Sequence, residues 1–256
     1  MIDSSSPRTE FAAYEVQATR WNSPAGQAAA GGDWCDVVAV DEGILALTVG
    51  DVSGHGESAA ATMDLLRAII VEAVQAGPRA PSTILATANS QAYNGGEGII
   101  ATAIVGFLDQ RRRTFTFASA GHPPPLVFSG SRHAFLSHSP GDLPLGIFPL
   151  HHAAVYALAL PPDVLLTLYT DGVTEHKRNL LTGERELARA CRHAYERPDL
   201  DAAHCIAEHV FRTGRGSDDA AVLAVRTWPS AARFPASDAS RSVGAIAPGD
   251  SRWSPR

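Results

Sequence analysis

Aspartates recur in this chain where apolar runs stop. ILALTV ends in Gly50-Asp51, VLLTLYT ends in Asp171-Gly172, and Asp218-Asp219 stand directly before AVLAVR. Asp33 lies just ahead of the run that would pair with ILALTV, with Asp36 close behind it. Any one of these, taken singly, reads first as a turn or helix-cap aspartate. Gathered at one rim of a fold, they repel one another unless a cation neutralises them. Hard oxygen ligands without His or Cys partners select magnesium, manganese or calcium over zinc. Two such ions about 3.5–4 Å apart, bridged by one carboxylate, lower the pKa of bound water and clamp a phosphoryl group. That chemistry suits hydrolysis of a phosphate ester. Gly54 and Gly56 in DVSGHG fit the same picture, because glycine lets the backbone approach an ion and take positive φ without strain.

Other reactive side chains carry less. Ser53 sits in DVSGHG, which is not a G-x-S-x-G nucleophile elbow, so it reads as a loop serine bonding local backbone. His55 reads first as a solvated loop histidine, with proton donation to a leaving group as the alternative. His122, followed by three prolines, reads as a hydrogen-bonded structural residue. His133, His138, His151 and His152 lack a helical metal-ligand pattern and read as surface loop.

The elements that must hold these residues alternate strands with helix pairs. VVAV and ILALTV flank Asp41-Glu42-Gly43, a hairpin signal. Met63, Leu66, Ile70 and Val74 recur at helical spacing in a segment that begins near Glu57, covers the DVSGHG loop and stops at Gly77-Pro78. A second helix follows over STILATANSQAY with Ser82 as its expected N-cap. GIIATAIVGFLD, RTFTFASAGH and PLVFS form a meander, then VYALAL and VLLTLYT. Helices over Glu184–Tyr195 and Asp201–Arg212 and the strand AVLAVR complete the pattern. Hairpin-linked strands with helices inserted in pairs predict an α+β fold of two packed antiparallel sheets covered by helix pairs.

Composition bounds the rest. The chain has 256 residues, 45% of them hydrophobic and 19% charged, which suits one large domain or two small ones. A net charge of −6 argues against nucleic acid or an anionic membrane surface as partner, and implies that a phosphate would need a metal ion to bind. Cys35, Cys191 and Cys205 form no CxxC pair, which speaks against a disulfide framework or structural zinc and fits a reducing compartment. Neither a signal segment nor an uninterrupted membrane-length apolar stretch occurs, so the expected location is cytoplasmic. Residues 1–10 read as a loose N-terminus and 229–256, rich in Pro, Ser, Gly and Ala, as a disordered tail.

The segments GGDWCD, GDVSGHG, SAGHPPPLVF, LPLGI, YTDGVTE and SDDAAVLAVR, in that order, resemble the bacterial SpoIIE/RsbU-type branch of the PPM family of metal-dependent serine/threonine protein phosphatases. The resemblance covers roughly residues 11 to 227 and defines a phosphatase domain at 11–228. It implies an αββα four-layer sandwich with a binuclear centre of two divalent cations, Mn2+ or Mg2+. Asp33 matches the first family ligand and Asp51 the bridging aspartate, with the backbone carbonyl of Val52 completing a coordination sphere. Asp171 and Asp218 match the remaining ligands, and Asp219 a residue that supports them. Asp36 matches an acidic family position that is not itself a ligand, and Cys35 stands where the family commonly has an aromatic residue. Arg20 is the arginine put forward for phosphate contact.

The resemblance further implies, as substrate, a phosphorylated protein, a STAS-type anti-sigma-factor antagonist, with water held by the metals as the nucleophile. The alternatives are a pseudophosphatase that binds its partner without turnover and a hydrolase of small phosphate esters. Retention of the aspartates favours turnover. With only residues 1–10 ahead of the resembling stretch, control is expected from a separate protein, metal availability or expression level.

Overall fold

The computed structural model of the chain describes residues 8–11 (backbone only), 14–21, 31–77, 79–95, 98–130, 132–136, 142–175, 179–212 and 219–228. The expectations for Asp218, His138, residues 1–7 and the segment 229–256 lie outside these described residues.

Strands β1 (Arg8–Phe11), β2 (Tyr14–Trp21), β3 (Asp33–Asp41) and β4 (Ile44–Val52) come first, followed by helices α1 (Glu57–Ala76) and α2 (Pro81–Asn94). The meander β5 (Ala101–Asp109), β6 (Thr114–Ala120), β7 (Leu126–Ser129) and β8 (Arg132–Phe135) leads to β9 (Val155–Ala159) and β10 (Leu165–Tyr169). Helices α3 (Gly172–Glu175), α4 (Leu180–Glu196) and α5 (Ala202–Phe211) precede the last strand, β11 (Ala220–Thr227). A six-stranded sheet has the order β1-β2-β11-β10-β7-β8, and a five-stranded sheet the order β3-β4-β5-β6-β9. Every pairing within them is antiparallel.

Side chains alternate across a strand, so each strand supplies two cores. Leu45, Leu47 and Val49 of β4 pack with Ile104, Leu166, Leu168, Leu223 and Val225 between the sheets. Ala46 of the same strand faces the opposite way, into a cluster with Met63, Leu66, Ile70 and Val74 of α1 and Ile84, Leu85 and Ala88 of α2. On the outer side of the other sheet, Leu187, Cys191 and Ala194 of α4 and Ile206 and Val210 of α5 cover Leu165, Val222 and Ala224. These three apolar layers make the αββα sandwich expected from the sequence. The central strand β11 is buried at every position, which is why it reads as an unbroken apolar run.

Several local expectations need correction. Helix α2 starts at Pro81, and the amides of Thr83 and Ile84 both donate to the carbonyl of Ala80. Ser82 is therefore inside the first turn and is not the N-cap; proline fits the opening position because its missing N–H would have no partner there. Helix α4 begins at Leu180, not Glu184, capped by the Asn179 side chain, which accepts from the Thr182 amide at 3.0 Å. Gly183 lies inside the first turn, and a Cβ there would lie 1.7 Å from the Thr174 carbonyl oxygen, so helices α3 and α4 meet on its bare backbone. Residues 98–100 precede β5 instead of belonging to it. His133 is on edge strand β8, paired with Phe128, and not in a loop. Strand β2, unrecognised among the mixed polar and apolar residues of YEVQATRW, lies beside β11 with Arg226 and Glu15 as register partners.

Candidate active site

In register, Asp33 on β3 faces Asp51 on β4, and Asp51 faces Thr102 on β5. Residues directly opposite in an antiparallel pair project to the same face. For Asp51 that face also carries Leu45, Leu47 and Val49, which pack between the sheets. The carboxylates therefore stand at one mouth of the inter-sheet core. Asp171 arrives from the other sheet, in the turn after β10.

Asp33 is only 4% exposed. Burial pushes its carboxyl well above the ordinary range, and the charge of Asp51, a hydrogen bond with Asp51 and the charge of Asp171 add to the rise; a hydrogen bond from Thr170 opposes it. That donor is the Thr170 hydroxyl, 2.6 Å from Asp33 Oδ2. Gly32 makes room for the neighbours. A Cβ on it would fall 2.6 Å from the Val52 carbonyl oxygen and 3.1 Å from Asp51 Oδ1. Glycine thus leaves a cradle in which a main-chain oxygen and a carboxylate oxygen lie side by side.

Asp219 brings its carboxylate against Gly31, whose Cβ would sit 1.9 Å from Asp219 Oδ2. Asp36 goes elsewhere. Alternation along β3 turns it toward the helices, where Arg67 of α1 donates Nε to Oδ2 at 2.6 Å and a terminal nitrogen to Oδ1 at 2.7 Å. His55 is exposed in the loop before α1, between Gly54 and Gly56, both at positive φ (112° and 85°). Ser53 is exposed too, its amide donating to the Ile100 carbonyl. Arg20 lies on β2 opposite Ala221. Its charge reaches Cys35, where burial pushes the thiol up to about 12 and Arg20 pulls the other way. His122 is buried, with Nδ1 3.0 Å from the Thr102 hydroxyl and its amide donating to Ser119 Oγ.

The donor set fits hard divalent cations. Asp33, Asp51 and Asp171 are oxygen donors, the last two raising the proton affinity of Asp33, and the Val52 carbonyl lies in the Gly32 cradle. Among the described residues no group of three His, Cys, Asp or Glu side chains is preassembled around one point. Sequence reasoning missed three supporting residues: Thr170, Arg67 and Thr102. A hydroxyl residue beside an aspartate at a strand end was the visible signal for Thr170. Its partner is 137 positions away, so only the packing of the two sheets reveals the link.

Comparison with known proteins converges on one group. Residues 41–228 match the family described as Stage II sporulation protein E (SpoIIE). The phosphoserine phosphatase RsbU of Bacillus subtilis is 28% identical over 136 residues, 53% of this chain and 40% of that protein. The crystal structure of the RsbU and RsbW domains of a Mycobacterium tuberculosis protein superposes with a TM-score of 0.74 at 29% identity, covering 84% of this chain and 60% of that one. The PP2C phosphatase domain of SpoIIE from Bacillus subtilis, with a fragment of its regulatory domain, superposes with a TM-score of 0.73 at 20% identity over 86% of this chain and 64% of that one. The chain thus spans less than two thirds of each of these relatives.

Proposed function

The chain belongs to the SpoIIE family, and from that premise we propose that it is a metal-dependent protein phosphatase acting on phosphoserine or phosphothreonine. The observation that carries the reading is Asp33, a buried carboxyl raised by Asp51 beside it and by Asp171 from the facing sheet. Charge gathered in this way disfavours the fold unless a proton or a cation neutralises it.

In this reading Asp33, Asp51, the Val52 carbonyl, Asp171 and Asp218 hold two divalent cations, Mn2+ or Mg2+. Bound there, the ions supply an activated water and offset the charge of the phosphoryl oxygens. The chain's own residues do the rest. Asp51, register partner of Asp33 and next to Val52, would be the carboxylate shared between the two ions. Asp219 supports the strand entry at Gly31. Arg67 holds Asp36 away from the centre and fastens α1 to β3. Ser53 is a loop residue and not a nucleophile. In this reading His55, exposed in the loop before α1, gives a proton to the departing serine oxygen. Arg20 contributes positive charge near the site.

The substrate proposed is a phosphorylated protein of sigma-factor control, a STAS-type antagonist, in the cytoplasm. Among the described residues no helix is long and apolar enough to cross a membrane.

The test is hydrolysis of a phosphoserine protein and of an aryl phosphate by metal-free protein, with and without added Mn2+ or Mg2+. Activity that appears with metal and vanishes with chelator supports the proposal. Full turnover in excess chelator by protein without bound metal overturns it, and hydrolysis of aryl phosphate or nucleotides in preference to the phosphoprotein supports the small-ester alternative.

A further inference from the structure

Thr170 follows β10 directly and is fully buried. Its amide donates to the Ala221 carbonyl at 3.1 Å, and its hydroxyl oxygen accepts from the Ala221 amide at 2.8 Å. A backbone amide can only donate, so that contact occupies a lone pair of the hydroxyl and leaves its single proton for another acceptor. The acceptor is Asp33 Oδ2 at 2.6 Å. The hydrogen bonds thus run from the Ala221 amide to Thr170 and from Thr170 to Asp33.

This chain crosses from one sheet to the other. Ala221 and Thr170 belong to the six-stranded sheet and its edge loop, Asp33 to the five-stranded one. Asp171 is the next residue after Thr170. The threonine therefore fixes the orientation of the Asp33 carboxylate relative to a second carboxylate carried on its own main chain.

We propose that Thr170 is a positioning residue of the metal centre: its hydroxyl aims Asp33 across the gap between the sheets and so sets the affinity for divalent cations. This rests on the metal-dependent reading of the site.

The variants are Thr170→Val, which keeps the shape and loses the hydroxyl, and Thr170→Ser, which keeps it. Mn2+ and Mg2+ affinities are measured by titration calorimetry, and melting temperatures with and without metal. Thr170→Val is expected to bind metal about 10- to 100-fold more weakly, as loss of a residue that orients a ligand typically does. Thr170→Ser should bind within a few-fold of the unaltered chain. A merely structural threonine would lower the metal-free melting temperature without separating the two variants in metal affinity, and that outcome overturns the proposal, as does normal affinity in Thr170→Val. Should Thr170→Val fail to fold, Thr170→Cys keeps the size with a weak donor, and the same weakening is expected of it. An unaltered chain that binds neither ion removes the metal-dependent reading itself, and Thr170's role with it; normal binding that Thr170→Val leaves intact rejects only Thr170.

Discussion

Asp33 and Asp51 are register partners on adjacent strands, and their carboxyl groups hydrogen-bond to each other at the buried mouth of the inter-sheet core. A carboxyl raised by the fold binds its proton more tightly folded than unfolded. The stability it lends is present below the ordinary carboxylate range and is lost as pH rises through the raised value. Metal-free protein should therefore melt at a lower temperature as pH climbs above the ordinary carboxylate range, and Asp33→Asn should flatten that part of the slope. Excess Mn2+ should oppose the fall, because a cation prefers the ionised pair. Melts in chelator across this range decide it: an identical slope in Asp33→Asn would place the titration elsewhere.

Asp51→Asn and Asp171→Asn should each lower turnover by more than the 10- to 100-fold typical of a residue that merely orients a ligand. Metal-free melting temperature should stay level or rise, because a repulsive charge is removed. Ser53→Ala, altering an exposed loop side chain, should leave turnover near its starting value. Steady-state rates at saturating metal check all three, and near-normal turnover in either aspartate variant would refute the assignment.

Arg67 and Asp36 make a paired contact, with the Asp36 side chain 14% exposed and that of Arg67 47% exposed. Partial exposure screens such a pair, so a double-mutant cycle with Arg67→Ala and Asp36→Ala should give a coupling of about 0.5–1 kcal/mol in favour of the pair. Denaturant melts of the four proteins measure it. A coupling near zero would mean that α1 is held on β3 by its apolar face alone, through Met63, Leu66 and Ile70.

The apolar face of α1, the β3–β4 hairpin and the strand ends that carry Asp33, Asp51 and Asp171 were all legible in the sequence, because each is a local pattern closed by glycine or aspartate. The four-layer arrangement followed from helices arriving in pairs between hairpins. Strand β2 was not legible: Glu15 and Gln17 are buried by pairing, Gln17 donating to Glu15 at 2.8 Å and accepting from the Ala202 amide, so the strand lacks the usual contrast of faces. Helix α4 was begun late because Gly183 is there for contact with α3. The partner of Thr170 was hidden for a different reason. That partner is Asp33, which folding alone brings to it. The grouping of the carboxylates was likewise suggested by order and resemblance, while Asp33 and Asp51 sharing one face came from register.

The last prediction concerns the partner. Ile100 is exposed, and its carbonyl accepts the amide of Ser53 in the loop that follows the Asp51 strand end. Leu145 pairs with Ala101 next to it, and the same segment exposes Ile147 and Phe148, with Phe148 tied through its carbonyl to Asn89 of α2. The rim beside the carboxylates thus presents apolar side chains on a backbone that is fixed in place. A folded phosphoprotein can bury such a rim and gain binding energy remote from the phosphate, which a short peptide cannot. The expected result is a higher kcat/KM on a folded phosphorylated antagonist domain than on a phosphopeptide of the same local sequence. Phe148→Ala should reduce that advantage through KM while leaving the peptide rate unchanged. Equal values on the two substrates, or an equal effect of Phe148→Ala on both, would reject recognition of a folded partner.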